Sequence, residues 1–156
     1  MKKSVWLIEV FYRPKVFDAH AEEVKKSVEE LGVGCVDRVS ASSLYRIEGM
    51  IKREAIIRIA RDLLADSVSQ DYRLGEPFRQ SAWSVQVWYK PGVTDTVAET
   101  ARKAIQDLGI SNCLVVSTGR CYFFWGKLQE NILSSLARKL LANELIEYFL
   151  IKRPGK

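Results

Sequence analysis

Hydrophobic and polar positions follow the same pattern twice along this chain. Residues 5–12 and 82–89 alternate around β-branched and aromatic side chains, which is the period of a half-buried strand. A helix with one narrow apolar stripe is predicted next, because apolar residues recur every three or four positions. These residues are Ala21, Val24, Val28 and Leu31, repeated as Ala98, Ala101, Ile105 and Leu108.

Helix ends are marked in both copies. Asp18 and Asp95 directly precede the periodic segments and are predicted N-caps, since a carboxylate accepts hydrogen bonds from free N–H groups of the first turn. Gly32 and Gly109 follow the helices, where a left-handed C-terminal residue is expected.

The remaining pattern predicts two further strands, a second helix and a last strand in each copy. The middle strands are predicted at 33–41 and 43–49, and at 112–118 and 120–126. Hairpins are predicted at Ser42-Ser43 and Gly119-Arg120, because these connections are short. The last strands are predicted near 68–73 and 145–151. The order is therefore β-α-β-β-α-β, with the helices on one face of the sheet.

The two copies align without a gap at an offset of 77 residues, and residues 5–73 share 20 identities with 82–150. The sequence therefore predicts an α/β fold (α+β, two-layer) made of a tandem repeat. Repeat one spans 1–74, a linker 75–81, and repeat two 82–156. A module of this size buries only about 60% of its unfolded surface and is marginal alone. We expect the copies to pack as an intramolecular pseudo-dimer.

Composition is that of a globular protein, with 47% hydrophobic and 28% charged residues. The net charge of +5 invites a nucleic-acid interpretation, but acidic and basic residues are interspersed, as on solvated helix faces. Cys35, Cys113 and Cys121 form no C-x-x-C pair, which favours reduced thiols and a cytoplasmic location. No apolar run approaches the length of a membrane span.

No catalytic or metal-binding constellation is evident. His20 lies in the first turn of a helix, its repeat counterpart is Val97, and no Cys, Asp or Glu stands beside it at ligand spacing. The zincin, nucleophile-elbow and P-loop motifs are missing. We therefore expect no catalytic, cofactor-binding or metal-binding residues in this chain.

Two binding functions are compatible with the predicted order of strands and helices. RNA-recognition modules share the β-α-β-β-α-β order and carry stacking aromatics on the third strand. The segment 120–126 is aromatic but lacks their internal glycines, so RNA binding is disfavoured, with Tyr122 and Phe124 as the platform it would need. A regulatory, ligand-sensing pair of the ACT kind is the other alternative.

Repeat two resembles the PurS family, the small subunit of phosphoribosylformylglycinamidine synthase, and similar segments begin some fused large subunits. The similarity is carried by Trp88 to Glu99, Ala104 to Ile110, Ser117 to Tyr122 and Leu140 to Glu147. Repeat one is similar through Tyr12 to Asp18 and Leu63 to Asp66, but Lys15 replaces the glycine after proline. The ending 151–156 is compatible with a C-terminus or with a linker into a longer subunit.

The resemblance implies a non-catalytic part of an ATP-dependent amidotransferase of purine synthesis. It implies a PurL-like synthetase and a PurQ-like glutaminase as partners, with this chain bridging them and helping to shape the ammonia path. ATP and magnesium are implied only for the assembled enzyme. PurS-like modules associate in pairs, so one tandem chain supplies both halves, and further self-association stays open.

Loops carry contacts more often than packing, so the turns are the candidates for partner binding. The candidate segments are Lys90–Asp95 and Thr118–Arg120, with their counterparts Arg13–Asp18 and Ala41–Ser43. The individual candidates are Lys90, Pro91, Gly92, Asp95, Thr118, Gly119, Arg120, Arg13, Pro14 and Asp18. Capping helices and closing hairpins is the alternative role for the same residues.

Overall fold

A computed structural model describes residues 2–111 and 114–155. Cys113, and with it the start of the strand predicted at 112–118, lies outside the described residues. The strands are β1 (Ser4–Tyr12), β2 (Val36–Gly49), β3 (Gln70–Leu74), β4 (Trp83–Tyr89), β5 (Val115–Gly126) and β6 (Glu147–Lys152). The helices are α1 (Ala19–Glu30), α2 (Arg53–Ile59), α3 (Thr96–Asp107) and α4 (Glu130–Leu136).

The strands form a six-stranded sheet in the order β3-β1-β2-β5-β4-β6. β1 pairs with β2 and with β3 in antiparallel register, and β4 pairs with β6 in the same way. In β1, Ile8 faces Tyr45 on one side and Leu74 on the other. The predicted class, a two-layer α/β fold built from two repeats, is confirmed.

The predicted hairpins at Ser42-Ser43 and Gly119-Arg120 are wrong. β2 and β5 each run straight through these positions as one continuous strand. A two-residue hairpin of the favoured types needs a positive φ in its turn, and Ser42, Ser43 and Gly119 have none. The two middle strands of each repeat are therefore merged into one.

The first compact unit comprises Met1–Val16, Ser43–Pro77 and Gly92–Gly119. It contains β1, β3 and α2 of repeat one, the second half of β2, the helix α3 and the start of β5. Its core is aliphatic, and Ile8, Ile47, Ile56, Ile59 and Ile105 are fully buried. Burying one such side chain contributes about 1.5–3 kcal/mol, so the first helix of repeat two is firmly held in this unit.

The second compact unit comprises Phe17–Ser42, Phe78–Pro91 and Arg120–Lys156. It combines α1 and the first half of β2 with β4, the end of β5, α4 and β6. Its core is more aromatic, with Trp83, Tyr122 and Phe124 buried among Val28, Leu133 and other apolar residues. Each unit thus takes its first helix from one repeat and its second from the other.

Both predicted N-caps and both C-terminal glycines are confirmed. Asp18 and Asp95 accept hydrogen bonds from the backbone of Ala21 and Ala98, at 3.1 and 3.0 Å. Gly32 and Gly109 have φ of +80° and +87°, the left-handed conformation that glycine adopts without a steric penalty.

The second helix of each repeat ends in a π-helical turn that its apolar periodicity did not predict. These turns span Ala60–Leu64 and Ala137–Leu141. Each closes with a bond from residue i+5, Ala65 N to Ala60 O at 3.0 Å and Ala142 N to Ala137 O at 2.9 Å. π-turns of this kind occur frequently at functional sites.

Candidate functional site

The exposed turns that precede α1 and α3 carry five of the candidate residues. Arg13 and Pro14 are exposed in the first unit, and Lys90 and Pro91 are exposed in the second. Gly92, exposed and assigned to the first unit, has φ of +85°, the conformation required at the third position of a type II turn. Its counterpart Lys15 has no positive φ, so the missing glycine changes the turn in repeat one.

Arg13 is fixed by its own unit although it is exposed. Its Nε and Nη2 atoms donate to the carbonyl groups of Gln70 and Ser67, both at 3.1 Å. Its backbone N–H also donates to Ser69 O at 2.9 Å. The guanidinium therefore ties the turn to the loop before β3.

Asp95 and Thr118 are two candidates that the first unit brings together. Besides capping α3, the Asp95 carboxylate accepts from the Thr118 backbone N–H at 2.8 Å and from its hydroxyl at 2.9 Å. Thr118 is 8% exposed. In the second unit, Ala41 stands at the position of Thr118, so the equivalent cap Asp18 finds no hydroxyl there to accept from.

Arg120 is the centre of a polar network in the second unit. Its Nη1 donates to Glu147 at 2.8 Å, its Nη2 to the Leu141 carbonyl at 2.8 Å and its Nε to the Tyr122 hydroxyl at 3.1 Å. Glu147 is 6% exposed and also accepts from the Asn143 backbone at 2.9 Å. The guanidinium thereby bridges β5, β6 and the π-turn.

The pKa values of this network follow from the pairing. Burial alone would raise the pKa of Glu147, but the hydrogen bond from Arg120 holds it below its ordinary value. Burial would lower the pKa of Arg120, and Glu147 and Tyr122 raise it instead. Burial raises the pKa of Tyr122, which Arg120 only partly offsets. The ion pair is therefore charged, and the phenol neutral, at physiological pH.

His20 joins this network from the first turn of α1. Its Nε2 atom lies 3.0 Å from the Tyr122 hydroxyl, and the two ring centroids are 5.6 Å apart. The hydroxyl oxygen accepts from Arg120, and the direction of its hydrogen bond with His20 Nε2 depends on the imidazole tautomer. His20 is exposed, as predicted for a histidine without ligands, and its bond to Tyr122 is the feature that spacing could not reveal.

The first unit has an open groove at the equivalent place. Its volume is about 360 Å³. Its wall is formed by α3, by Tyr45 of β2 and by the π-turn, and the lining residues are Thr96, Val97, Thr100, Ala101, Ala104, Tyr45, Leu63 and Leu64. Burial, and then the carboxylate of Asp95, raises the pKa of Tyr45 above its ordinary value, so its hydroxyl stays protonated.

Sequence reasoning missed this groove, although the repeat alignment contains its signal. Tyr45 and Tyr122 are aligned and identical, but Ser43 stands at the position of Arg120 and Val97 at the position of His20. Gln70 likewise stands at the position of Glu147. The three groups that surround Tyr122 are thus all replaced around Tyr45.

The aromatic run on β5 is not an RNA-stacking platform, and that part of the RNA hypothesis is wrong. Tyr122 and Phe124 are 2% and 0% exposed and pack in the core of the second unit. Arg79 covers the Phe123 ring with its guanidinium 4.5 Å from the centroid. A base could not reach these rings, because stacking requires an accessible face.

The described residues contain neither a metal-binding cluster nor a membrane-spanning helix. Within 2–111 and 114–155, no three His, Cys, Asp or Glu side chains are grouped so that they could hold a metal ion. No helix in that part of the chain is long and apolar enough to cross a membrane. Cys35 is half-buried and Cys121 is fully buried.

Comparison with known proteins gives one result that covers almost the whole chain. The model of the PurS family, described as phosphoribosylformylglycinamidine (FGAM) synthase, matches twice, at residues 6–75 and 82–154. No individually curated protein matches the chain. The two matched segments coincide with the two repeats recognised from their internal similarity.

Proposed function

The chain belongs to the PurS family of FGAM synthase, and from this membership we propose that it is the non-catalytic structural part of that amidotransferase. The observation that carries the proposal is the double family match over 6–75 and 82–154. In this role the chain bridges a synthetase and a glutaminase component and helps to form the path along which ammonia moves between them. ATP and magnesium are then bound by the partners.

The side-chain chemistry supports a structural role. The charged residues with the most partners, Arg120 and Glu147, bind each other and the backbone, so neither is poised as a free acid, base or nucleophile. Asp95 is similarly occupied by a helix cap and by Thr118. These groups hold the fold, which leaves the exposed turn residues as the proposed contacts with partners.

Co-elution tests this function directly. The purified chain is mixed with its cognate synthetase and glutaminase in the presence of glutamine and ADP, and the complex is isolated by size-exclusion chromatography. A scaffold co-elutes with both components in fixed stoichiometry. If the chain elutes alone under these conditions, the proposed function is wrong.

The turn residues can be tested in the same assay. Lys90→Glu reverses the charge of an exposed turn, and it should weaken the complex because charge reversal at an interface rim slows association. Lys103→Glu is the matched control, since Lys103 is exposed on α3 outside the candidate turns. Equal complex formation by both variants would remove this turn from the proposed contact surface.

Ligand sensing is the second candidate function, and one observation favours it. The groove of the first unit has the size of a small-molecule site and contains a protonated tyrosine hydroxyl.

A further inference from the structure

The groove of the first unit can be interpreted by comparison with its counterpart in the same chain. In the second unit, the space beside Tyr122 holds two planar nitrogen groups, the imidazole of His20 and the guanidinium of Arg120. In the first unit, the same positions carry Val97 and Ser43. Neither side chain can supply a nitrogen donor or acceptor to Tyr45.

The polar groups that those nitrogens use are retained in the first unit. Tyr45 lines the groove, and within the described residues its hydroxyl has no protein hydrogen-bond partner. Leu64, the counterpart of the residue whose carbonyl accepts from Arg120, also lines the groove. Because Tyr45 is half-buried and lines the open groove, its hydroxyl is free to bond a ligand that carries a matching group.

Charge limits the class of ligand. In the second unit, Glu147 balances the guanidinium, whereas the first unit has the neutral Gln70 at that position. The carboxylate of Asp95, which acts on Tyr45, accepts hydrogen bonds from Ala98 and Thr118. None of the described residues that line the groove is charged, and the alanine, valine and leucine side chains of its wall favour an uncharged, apolar ring.

We propose that the groove between α3 and the π-turn of the first unit binds a neutral, planar nitrogen heterocycle. The ring nitrogen accepts from the Tyr45 hydroxyl, in the place that Nε2 of His20 takes beside the Tyr122 hydroxyl, and a ring N–H donates to the Leu64 carbonyl, as Arg120 does to Leu141. The volume of about 360 Å³ lies in the lower part of the range typical of small-molecule sites, about 300–1,000 Å³. This site goes beyond the scaffold function and does not depend on it.

Benzimidazole is a suitable probe, because it is neutral at pH 8 and carries one N–H donor and one acceptor nitrogen. Its binding to the isolated chain is followed by the NMR signals of the Ala101 and Ala104 methyl groups, which line the groove. Saturable shifts are expected at millimolar probe concentrations. Tyr45→Phe, which keeps the ring, should weaken binding about three- to tenfold, the effect of losing one hydrogen bond.

Three controls make the result decisive. Tyr122→Phe, the same change in the second unit, should leave the affinity unaltered. 1-Methylbenzimidazole, which lacks the N–H, should bind at least about threefold more weakly. The double variant Ser43→Arg, Val97→His places the second unit's side chains in the groove at two exposed positions and should abolish the shifts.

Three results would overturn the proposal. The first is no saturable shift of the two methyl signals. The second is binding that Tyr45→Phe and Tyr122→Phe weaken equally. The third is undiminished binding by the double variant.

Discussion

The two compact units use one plan and differ at one place. Each joins a first helix from one repeat to the strands and second helix of the other, and each ends that second helix in a π-turn above an aligned tyrosine. In the second unit a histidine and an arginine bond the Tyr122 hydroxyl, and a glutamate pairs with the arginine. Around Tyr45 the first unit has a groove of about 360 Å³.

The difference shows that one copy of the plan can dispense with side chains that the other copy uses. One copy of the plan can keep a polar network that locks β5 to β6 and to the π-turn. The other copy can lose the same side chains without unfolding, because Ile47, Ile56 and Ile59 of its own core remain fully buried. The surface released in this way is available for binding.

The largest effect is expected on removing Arg120. Arg120→Ala removes three hydrogen bonds and leaves the buried Glu147 carboxylate without its half-buried counterion, so the free energy of unfolding should fall by about 3 kcal/mol. Urea denaturation at pH 7 measures the change. Ser43→Ala is the matched variant in the first unit and should stay within about 0.5 kcal/mol. Equal losses in the two variants would refute the contrast.

Loss of a helix cap should destabilise the first unit more than the second, which reverses the ranking expected for Arg120 and Ser43. Asp95→Ala removes bonds to Ala98 and Thr118 together, whereas Asp18→Ala removes the cap to Ala21. The first change should cost about 2 kcal/mol, the upper end for caps, and the second about 1 kcal/mol. Thermal unfolding of both variants gives the ranking. A larger loss in Asp18→Ala would show that Thr118 adds nothing.

Glu147→Gln gives the second unit the residue of the first and introduces a pH dependence. Because the folded pKa of Glu147 is lowered, its contribution is fully present above the unfolded value of about 4.3 and is lost as the pH falls through the folded value. The variant should be about 1.5 kcal/mol less stable than the parent at pH 7. The difference in stability between the variant and the parent should disappear at acid pH, where Glu147 is protonated.

A surface pair provides the control for this titration. Glu144→Gln removes the exposed partner of Arg138, a pair with both side chains more than half exposed. It should change stability little at any pH in the same urea series. A gap between parent and Glu147→Gln that is constant from pH 7 to acid would contradict the assigned ion pair.

The smallest effect is expected from exchanging the first-turn residues. His20→Val removes the bond to Tyr122 and should cost about 1 kcal/mol. Val97→His adds an imidazole beside Tyr45 and should stabilise the first unit by less than about 1 kcal/mol. Thermal unfolding monitors both changes. A loss of stability in His20→Val and a gain of similar size in Val97→His would support equivalent sites. Stabilisation by His20→Val would argue against the network.

The sequence predicted those features that depend on local physics. Strand alternation, the caps Asp18 and Asp95 and the glycines at 32 and 109 follow from backbone needs within a few residues. The hairpins failed because two adjacent polar residues look the same in a turn and in a strand that changes unit at Ser42-Ser43 or Gly119-Arg120. Continuity of a strand is decided by distant pairing.

The candidate site was predictable only in part. The exposure of Lys90, Pro91 and Gly92 agrees with a turn that is open to contact, but partner binding itself stays a prediction. Arg120 was selected as a contact residue, and its bonds to Glu147 and Leu141 span 27 and 21 positions that no local pattern connects. The groove was missed because its walls come from both repeats.

The nitrogen source for FGAM formation tests the central claim most directly. The synthetase and glutaminase are assayed with and without this chain, using either glutamine or free ammonia. A bridging subunit that helps to form the ammonia path should be required with glutamine and dispensable with ammonia, since free ammonia bypasses the transfer between active sites. Glutamine-dependent FGAM formation that is unchanged when the chain is omitted would contradict the account.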